Sequence, residues 1–240
     1  MLTILYRDSH LIAIDKPAGL LTHRSDIDRH ETRFAVQILR DQIGQRVQPV
    51  HRLDRGTSGV LLFALDAQAN RALSAQFERN EVRKSYVAVV RGWPDESGSI
   101  DHPLSRRQDD HGAPIEGREP QQARTDYHRL ACVELPVAVE RYPSARYALL
   151  ALTPLTGRRH QLRRHMKHIA HPIIGDATYG KGVHNRFFQQ RFGCDRMLLA
   201  CTELGFRHPL SGESIRVRAP MTDQFAAVID ELGWARHACC

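Results

Sequence analysis

The sequence has no uncharged apolar run approaching the ~18 residues that a membrane span needs, so no segment reads as a transmembrane helix. Its first residues, Met1 to Lys16, are interrupted by Arg7, Asp8, His10 and Asp15, and no small-residue cleavage site follows, which argues against a secretion signal. These absences lead us to expect a cytoplasmic protein. Cysteine is sparse: Cys132, Cys194, Cys201, Cys239 and Cys240 are odd in number and form no Cys-x-x-Cys pair. A disulfide framework and a cysteine zinc site are both disfavoured, and free thiols are expected. Acidic residues are the other shortage. Against 34 Lys plus Arg stand 27 Asp plus Glu, giving +7 with histidines neutral and a pI of 9.5. Such an excess of cations suits a polyanionic partner, nucleic acid first and an anionic lipid surface second.

What the chain does contain is material for a core. At 240 residues and 42% hydrophobic content, it can bury a sizeable interior as one domain spanning 1–240. The most informative stretch is His51-Arg52-Leu53-Asp54-Arg55-Gly56-Thr57-Ser58-Gly59, followed at once by Val60-Leu61-Leu62-Phe63-Ala64. The apolar run reads as a buried strand. The polar stretch then sits at a strand end, where functional groups are held rigidly. The plain alternative is a turn whose Asp54 accepts hydrogen bonds from its own backbone.

Leu2 to Tyr6 and Leu11 to Ile14 read as short strands joined by Asp8-Ser9, and Asp15 to Gly19 as a turn. Thr32 to Ile43 reads as a helix closed by Gly44, and Asp66 to Asn80 as a second helix behind the polar stretch. Glu81 to Arg91 has the branched and aromatic content of a strand, in which Tyr86 would by propensity be a core residue. Residues 94–122 are rich in Pro, Gly, Asp, Arg and Gln, too long for an ordinary connection. They are expected to form a mobile loop over a cleft, closing through Arg106, Arg107 and Arg118; an insertion without a role is the alternative. Arg124 to Ala131 and Arg146 to Thr153 read as strands.

A second chemical cluster runs from Thr156 to Pro172. As a helix over His160 to Ala170, it would align Leu162, Met166 and Ile169 inward and spread Arg163, Arg164, Lys167 and His168 over another face. Its N-terminus, after Gly157, offers backbone donors suited to phosphate. His165, His168 and His171 are spaced three apart, but no carboxylate is interleaved and five basic residues oppose a cation, so no metal site is expected.

His51-Arg-Leu-Asp-x-x-Thr-Ser-Gly-Val60 resembles the catalytic signature of the pseudouridine synthases of the RluA family, with Asp54 at the essential aspartate. The rest of the pattern follows in family order: Lys16-Pro-x-Gly19 to His23, Lys84-x-Tyr86, Gly157-Arg-x-His-Gln-Leu-Arg163-x-His165, His171-Pro-Ile-Ile-Gly-Asp176, Arg196 to Leu199, and Phe206-x-His-Pro-x-x-Gly212. One departure is Ala200, where many members carry histidine. The resemblance implies an α+β pseudouridine synthase fold: a mixed, largely antiparallel sheet with a central catalytic cleft, flanked by helices. Lys16, Pro17 and Gly19 would brace the loop carrying Asp54. An N-terminal RNA-binding domain of the S4 type, found in some members, is not expected, because the first motif already lies at Lys16.

Isomerising uridine breaks the N1 to C1′ bond and joins C5 to C1′ without net oxidation, so the resemblance implies no cofactor. A glycoside hydrolase usually needs two carboxylates because its leaving group must be protonated. Uracil can leave as a delocalised anion, so one carboxylate can suffice. By the same resemblance Asp54 is the nucleophile, at C1′ or C6; Arg163 is its cationic partner; and Tyr86 stacks on the base and can help remove the C5 proton. A carboxylate and a guanidinium at contact attract by about 4 kcal/mol at an effective dielectric near 20, before desolvation. Flipping the base costs a few kcal/mol, and Arg52 is the candidate to hold the gap. Lys84, Arg158, Arg159, His160, Arg164 and Lys167 are the remaining RNA-binding candidates. No protein partner is implied.

His23-Arg24-Ser25 through Asp28-Arg29, Gly44-Gln45, and Arg141-Tyr142-Pro143 leading into the arginine-rich stretch are similar to the branch that acts on uridine 65 of tRNA. Ribosomal RNA is the other substrate the family offers. A non-catalytic RNA-binding protein of the same fold, or a metal-dependent nuclease using the histidines, are the rivals from other classes.

Overall fold

Runs of branched and aromatic residues pair into one large sheet, and the polar loops at its centre gather around one strand end. The computed structural model describes residues 1–23, 31–105 and 119–237. The charged stretch Arg24 to Arg29, the loop arginines Arg106, Arg107 and Arg118, and Cys239 and Cys240 lie outside the described residues. The strands are β1 (Thr3–Arg7), β2 (Leu11–Lys16), β3 (Gln48–Pro49), β4 (Ser58–Ala64), β5 (Arg83–Arg91), β6 (Ser97–Asp101), β7 (Arg124–Leu135), β8 (Ala145–Pro154), β9 (Leu199–Arg207) and β10 (Ser214–Arg218). The helices are α1 (Ala35–Ile43), α2 (Ala67–Glu78), α3 (Gln161–His168), α4 (Gly182–Phe192) and α5 (Asp223–Glu231). The sheet runs β1-β2-β4-β9-β5-β8-β7-β6, with β3 beside β4 and β10 beside β9.

Among the described strands every pairing is antiparallel except the one between β4 and β9, which is parallel and short, matching Ser58 with Ala200 and Gly59 with Cys201. That pairing joins the two halves of the sheet at the strand end where the His51 to Gly59 stretch arrives. Gly59 has φ +105°, and a Cβ there would lie 2.0 Å from the Cys201 carbonyl oxygen. Only glycine fits so close a crossing.

Period-two alternation divides β5 between two cores. Val87 and Val89 face Phe188 of α4 and Phe225, Val228 and Ile229 of α5, whereas Ala88 and Val90 face Leu162 and Met166 of α3. A third core places Ala35 and Leu39 of α1 and Ala69 and Leu73 of α2 against the fully buried Val60 to Ala64 of β4. The mixed α+β sheet expected from the sequence is therefore present.

The 94–122 stretch departs from its expectation in part. Ser97 to Asp101 form β6, which pairs with β7 from Ser97 opposite His128 to Asp101 opposite Arg124, and Leu104 bridges Gln121. The expected loop is thus shortened by an edge strand that backbone pairing supplies; among its residues only Ile100 is a buried hydrophobe.

Candidate active site

Asp54 sits in the loop immediately before β4, held by its own turn, by the segment after β2 and by Arg196. The Thr57 N–H donates to the Asp54 carbonyl at 3.0 Å, closing a turn. From the β2 end, the Gly19 N–H donates to the Arg55 carbonyl at 2.8 Å, and Arg55 Nε returns a bond to the Gly19 carbonyl at 3.2 Å. Lys16 is fully buried, and its ammonium donates to the carbonyls of Pro17 (2.8 Å), Leu20 (2.8 Å) and Arg55 (3.3 Å). Burial and the nearby Arg196 charge pull its pKa down to about 7, against the opposing pull of Asp54 and Asp15. Arg196 Nη2 donates to Ser58 Oγ at 2.7 Å. The first motif therefore braces the Asp54 loop as the resemblance implied.

His51 serves the same scaffold. Its Nε2 accepts the Leu62 N–H at 3.0 Å and its ring stacks on Phe77 at 4.7 Å. Burial, reinforced by the Lys84 charge, pushes its pKa down to about 3, so the ring is neutral.

The Asp54 side chain turns away from its own turn and meets Arg163, whose Nη1 donates to Asp54 Oδ2 at 2.9 Å. The other oxygen, Oδ1, lies 3.8 Å from His160 Nε2, beyond hydrogen-bond distance from it. Arg163 in turn makes a fork with Asp176: Nε to Oδ2 at 2.7 Å and Nη2 to Oδ1 at 2.9 Å. Asp176 is 1% exposed and also accepts the N–H groups of Thr178 (2.9 Å) and Tyr179 (3.0 Å). Burial alone would raise its pKa; the Arg163 bonds and charge, with those two N–H groups, outweigh burial and hold it below the usual carboxylate range. Burial works against the Arg163 charge, but the two carboxylates more than restore it and the guanidinium stays ionised. Nothing in the spacing of single motifs identified Asp176, although it closes the His171 to Asp176 stretch. The carboxylate ending that stretch, thirteen positions after Arg163, was the available signal.

His160, grouped with the RNA-binding residues by sequence, lines the same cleft and stands beside Asp54. It occupies the left-handed conformation (φ 55°) at the start of α3, and its Nδ1 pairs with the Tyr179 hydroxyl at 3.1 Å. Burial lowers its pKa, which favours the neutral ring. Gln161 ties the preceding loop: its Oε1 accepts from Thr156 Oγ1 (2.7 Å) and the Arg158 N–H (3.0 Å), and its Nε2 donates to the Arg124 carbonyl (2.9 Å). One backbone donor that the sequence offered to phosphate is therefore already occupied.

A cleft of about 580 Å³ opens at Asp54 and is lined by Arg52, Lys84, Tyr86, Arg158, Arg159, His160, Arg163 and Arg164. Every sequence-predicted site residue except Lys167 thus reaches one cleft. Lys167 is exposed, with its amine 5.9 Å from the Tyr179 ring centre. Tyr86 lies on β5 opposite Cys201 of β9. Burial, then Cys201 and Asp54, raises its pKa well above the ordinary value, so the phenol stays protonated. Ala200 is buried opposite Ser58 and Val87 and packs in the apolar core.

The three spaced histidines diverge. His165 bonds Thr125 Oγ1 and the His102 carbonyl, His168 stacks on His102, and His171 bonds the Arg91 carbonyl. Among the described residues no group of His, Cys, Asp or Glu is arranged to hold a metal ion, and no helix is long and apolar enough to cross a membrane.

An aspartate held by one arginine N–H just before a central strand, sharing a basic cleft with a tyrosine in a mixed sheet, fits a class of RNA-modifying enzyme. Residues 10–168 match the RNA pseudouridylate synthase family, and the chain belongs to it. It is 47% identical over 236 residues to tRNA pseudouridine synthase C of Vibrio cholerae, covering 98% of this chain and 97% of that one. The Haemophilus influenzae protein of the same name is 49% identical over 236 residues, covering 98% and 99%. Among solved structures, human RNA pseudouridylate synthase domain containing 1 superposes with a TM-score of 0.70 at 28% identity, over 92% of this chain and 84% of that one.

Proposed function

We propose that this chain isomerises a uridine of tRNA to pseudouridine with Asp54 as the nucleophile. The observation that carries the reading is the Asp54 carboxylate itself, with one oxygen held by Arg163 at 2.9 Å and both groups lining a cleft shared with Tyr86. The names of the full-length relatives support tRNA as the substrate. The stretches around Gly44-Gln45 and Arg141-Tyr142-Pro143 favour uridine 65 as the position.

The flipped base enters the cleft and lies against the Tyr86 ring. Arg52, exposed beside Asp54, holds the gap left in the RNA. Arg158, Arg159, Arg164 and Lys167 meet phosphates, and His160, in the same cleft wall, meets the RNA beside Asp54. Asp54 bonds C1′ or C6, the N1 to C1′ bond breaks, the base turns, and C5 takes the place of N1. No metal or redox group enters these steps.

The test is tritium release from tRNA labelled at uracil C5, run with a chelator. Wild type is expected to release tritium, and Asp54→Asn is expected to release none while still binding tRNA. Release by Asp54→Asn at the wild-type rate would overturn the assignment. Binding without release by the wild type would favour ribosomal RNA or a non-catalytic binding role.

A further inference from the structure

The departing uracil carries negative charge, and the cluster at Asp54 has no positive charge to spare for it. Arg163 is shared by two carboxylates, so Asp54, Asp176 and Arg163 together are net negative. The Lys16 ammonium is spent on three backbone carbonyls, and His160 is neutral. A cation that meets the base must come from elsewhere in the cleft wall.

Among the described lysines and arginines lining the cleft, Lys84 is the buried one, at 8% exposure. It lies two residues before Tyr86 on β5, so both side chains leave the same face of the strand, about 7 Å apart along it. Its ammonium has one long hydrogen bond, 3.5 Å to the Thr156 carbonyl, and lies 3.9 Å from where a Cβ on Gly157 would stand. No carboxylate lies within 4 Å of it among the described residues. A buried ammonium with three donors and one weak acceptor is costly unless a ligand completes it. A position under 10% exposed, in the cleft wall between β5 and the loop before α3, suits the edge of a flipped base better than the RNA backbone.

We propose that the Lys84 ammonium is a catalytic residue that binds the carbonyl edge of the flipped uracil and carries the negative charge the base acquires as it leaves. The inference rests on the reading of the chain as a uridine isomerase. Whether Asp54 first bonds C1′ or C6, the N1 to C1′ bond breaks with its electron pair passing to the ring, where charge spreads over N1, O2 and O4. After the base turns, a ring pair at C5 forms the C5 to C1′ bond and any Asp54 ester is released as carboxylate. The C5 proton leaves to water and N1 takes one from water. Lys84 transfers no proton; its hydrogen bond to a uracil oxygen strengthens as charge develops, in the manner of an oxyanion site. Burial lowers its pKa, so the charge is held at a cost that bound anion relieves.

Lys84→Met keeps the stem and removes the charge; Lys84→Arg keeps the charge. Single-turnover isomerisation, tRNA affinity and its salt dependence are measured for both, after a thermal melt establishes that each is folded. Lys84→Gln replaces Lys84→Met if the latter does not fold. The expected result is a fall of about 100-fold in the chemical rate for Lys84→Met, with tRNA affinity and salt slope unchanged and partial recovery in Lys84→Arg. The same variants are then given tRNA containing 5-fluorouridine, whose base is a more stable anion, and loss of the parent nucleoside is followed. The defect should shrink on that substrate. A defect equal on both substrates overturns the proposal in favour of a structural role. Weaker binding with a salt slope reduced by about one marks a phosphate contact and overturns it as well. If wild type fails to act on either tRNA, the functional reading fails first, and that outcome is separate from any behaviour of Lys84.

Discussion

Asp176 is buried outside the cleft yet anchors Arg163, which reaches Asp54, while His51 lines the cleft and braces β4 through the Leu62 N–H. Asp176→Asn removes the charged half of the Arg163 fork. Arg163 can then lean further onto Asp54 or rotate away, and in either case the nucleophile is altered. We expect the isomerisation rate to fall by about 10- to 100-fold, with tRNA affinity within about twofold of wild type; a wild-type rate would show that Arg163 needs no second anchor. His51 yields a pH prediction. Its pKa is about 3 in the fold against the ordinary 6.5. Between those values the unfolded chain holds a proton that the folded chain lacks, so stability is lost as pH falls from about 6.5 toward 3. Chemical denaturation midpoints for wild type and His51→Gln across that range should converge at low pH; parallel curves would remove His51 from the titration.

At the scale of elements, the pairing of β4 with β9 is the vulnerable joint. In Gly59→Ala the new methyl group meets the Cys201 carbonyl at 2.0 Å on a backbone with φ +105°. Strained backbone of this kind costs about 1–3 kcal/mol by itself, and the clash adds to it. The melting temperature should drop by roughly 10 °C or more, and a variant melting with wild type would mean the joint can open without cost. The helices show how far local pattern reaches. Asp66 was expected inside a helix from Asp66 to Asn80; it caps α2 instead, accepting the Ala69 N–H at 2.8 Å. The helix expected from Thr32 begins at Ala35 because Phe34 is drawn into a parallel bridge with Leu21. β6 carried no readable alternation, since Ser97-Gly98-Ser99-Ile100-Asp101 offers one large apolar residue and the partner strand decides its conformation.

For the whole molecule, the net charge of +7 predicts RNA binding that weakens as salt rises. The slope of log affinity against log salt should be steep, and Arg159→Ala, which removes one cation from the cleft wall, should reduce it by about one while weakening different tRNAs equally. An unchanged slope would place Arg159 away from phosphate. The same charge gives no information about which uridine is chosen; that belongs to the shape of the cleft and the loops around it.

Sequence alone carried the Asp54 loop, the strand behind it, the tyrosine strand and the arginine-bearing helix, because each is a local pattern of polarity and spacing within a few residues. It also carried the parallel roles of Lys16 and Gly19, through the family motif they form. Tertiary structure decided what no local pattern contains: that Arg163 divides itself between Asp54 and Asp176, that His160 stands against the nucleophile, and that Lys84 is buried in the cleft wall. Those facts depend on β4, β9 and β5 meeting at one point and on the loop before α3 folding over them. Distances between residues more than a hundred positions apart are set by the sheet, and the sheet by the whole chain's burial of its apolar faces.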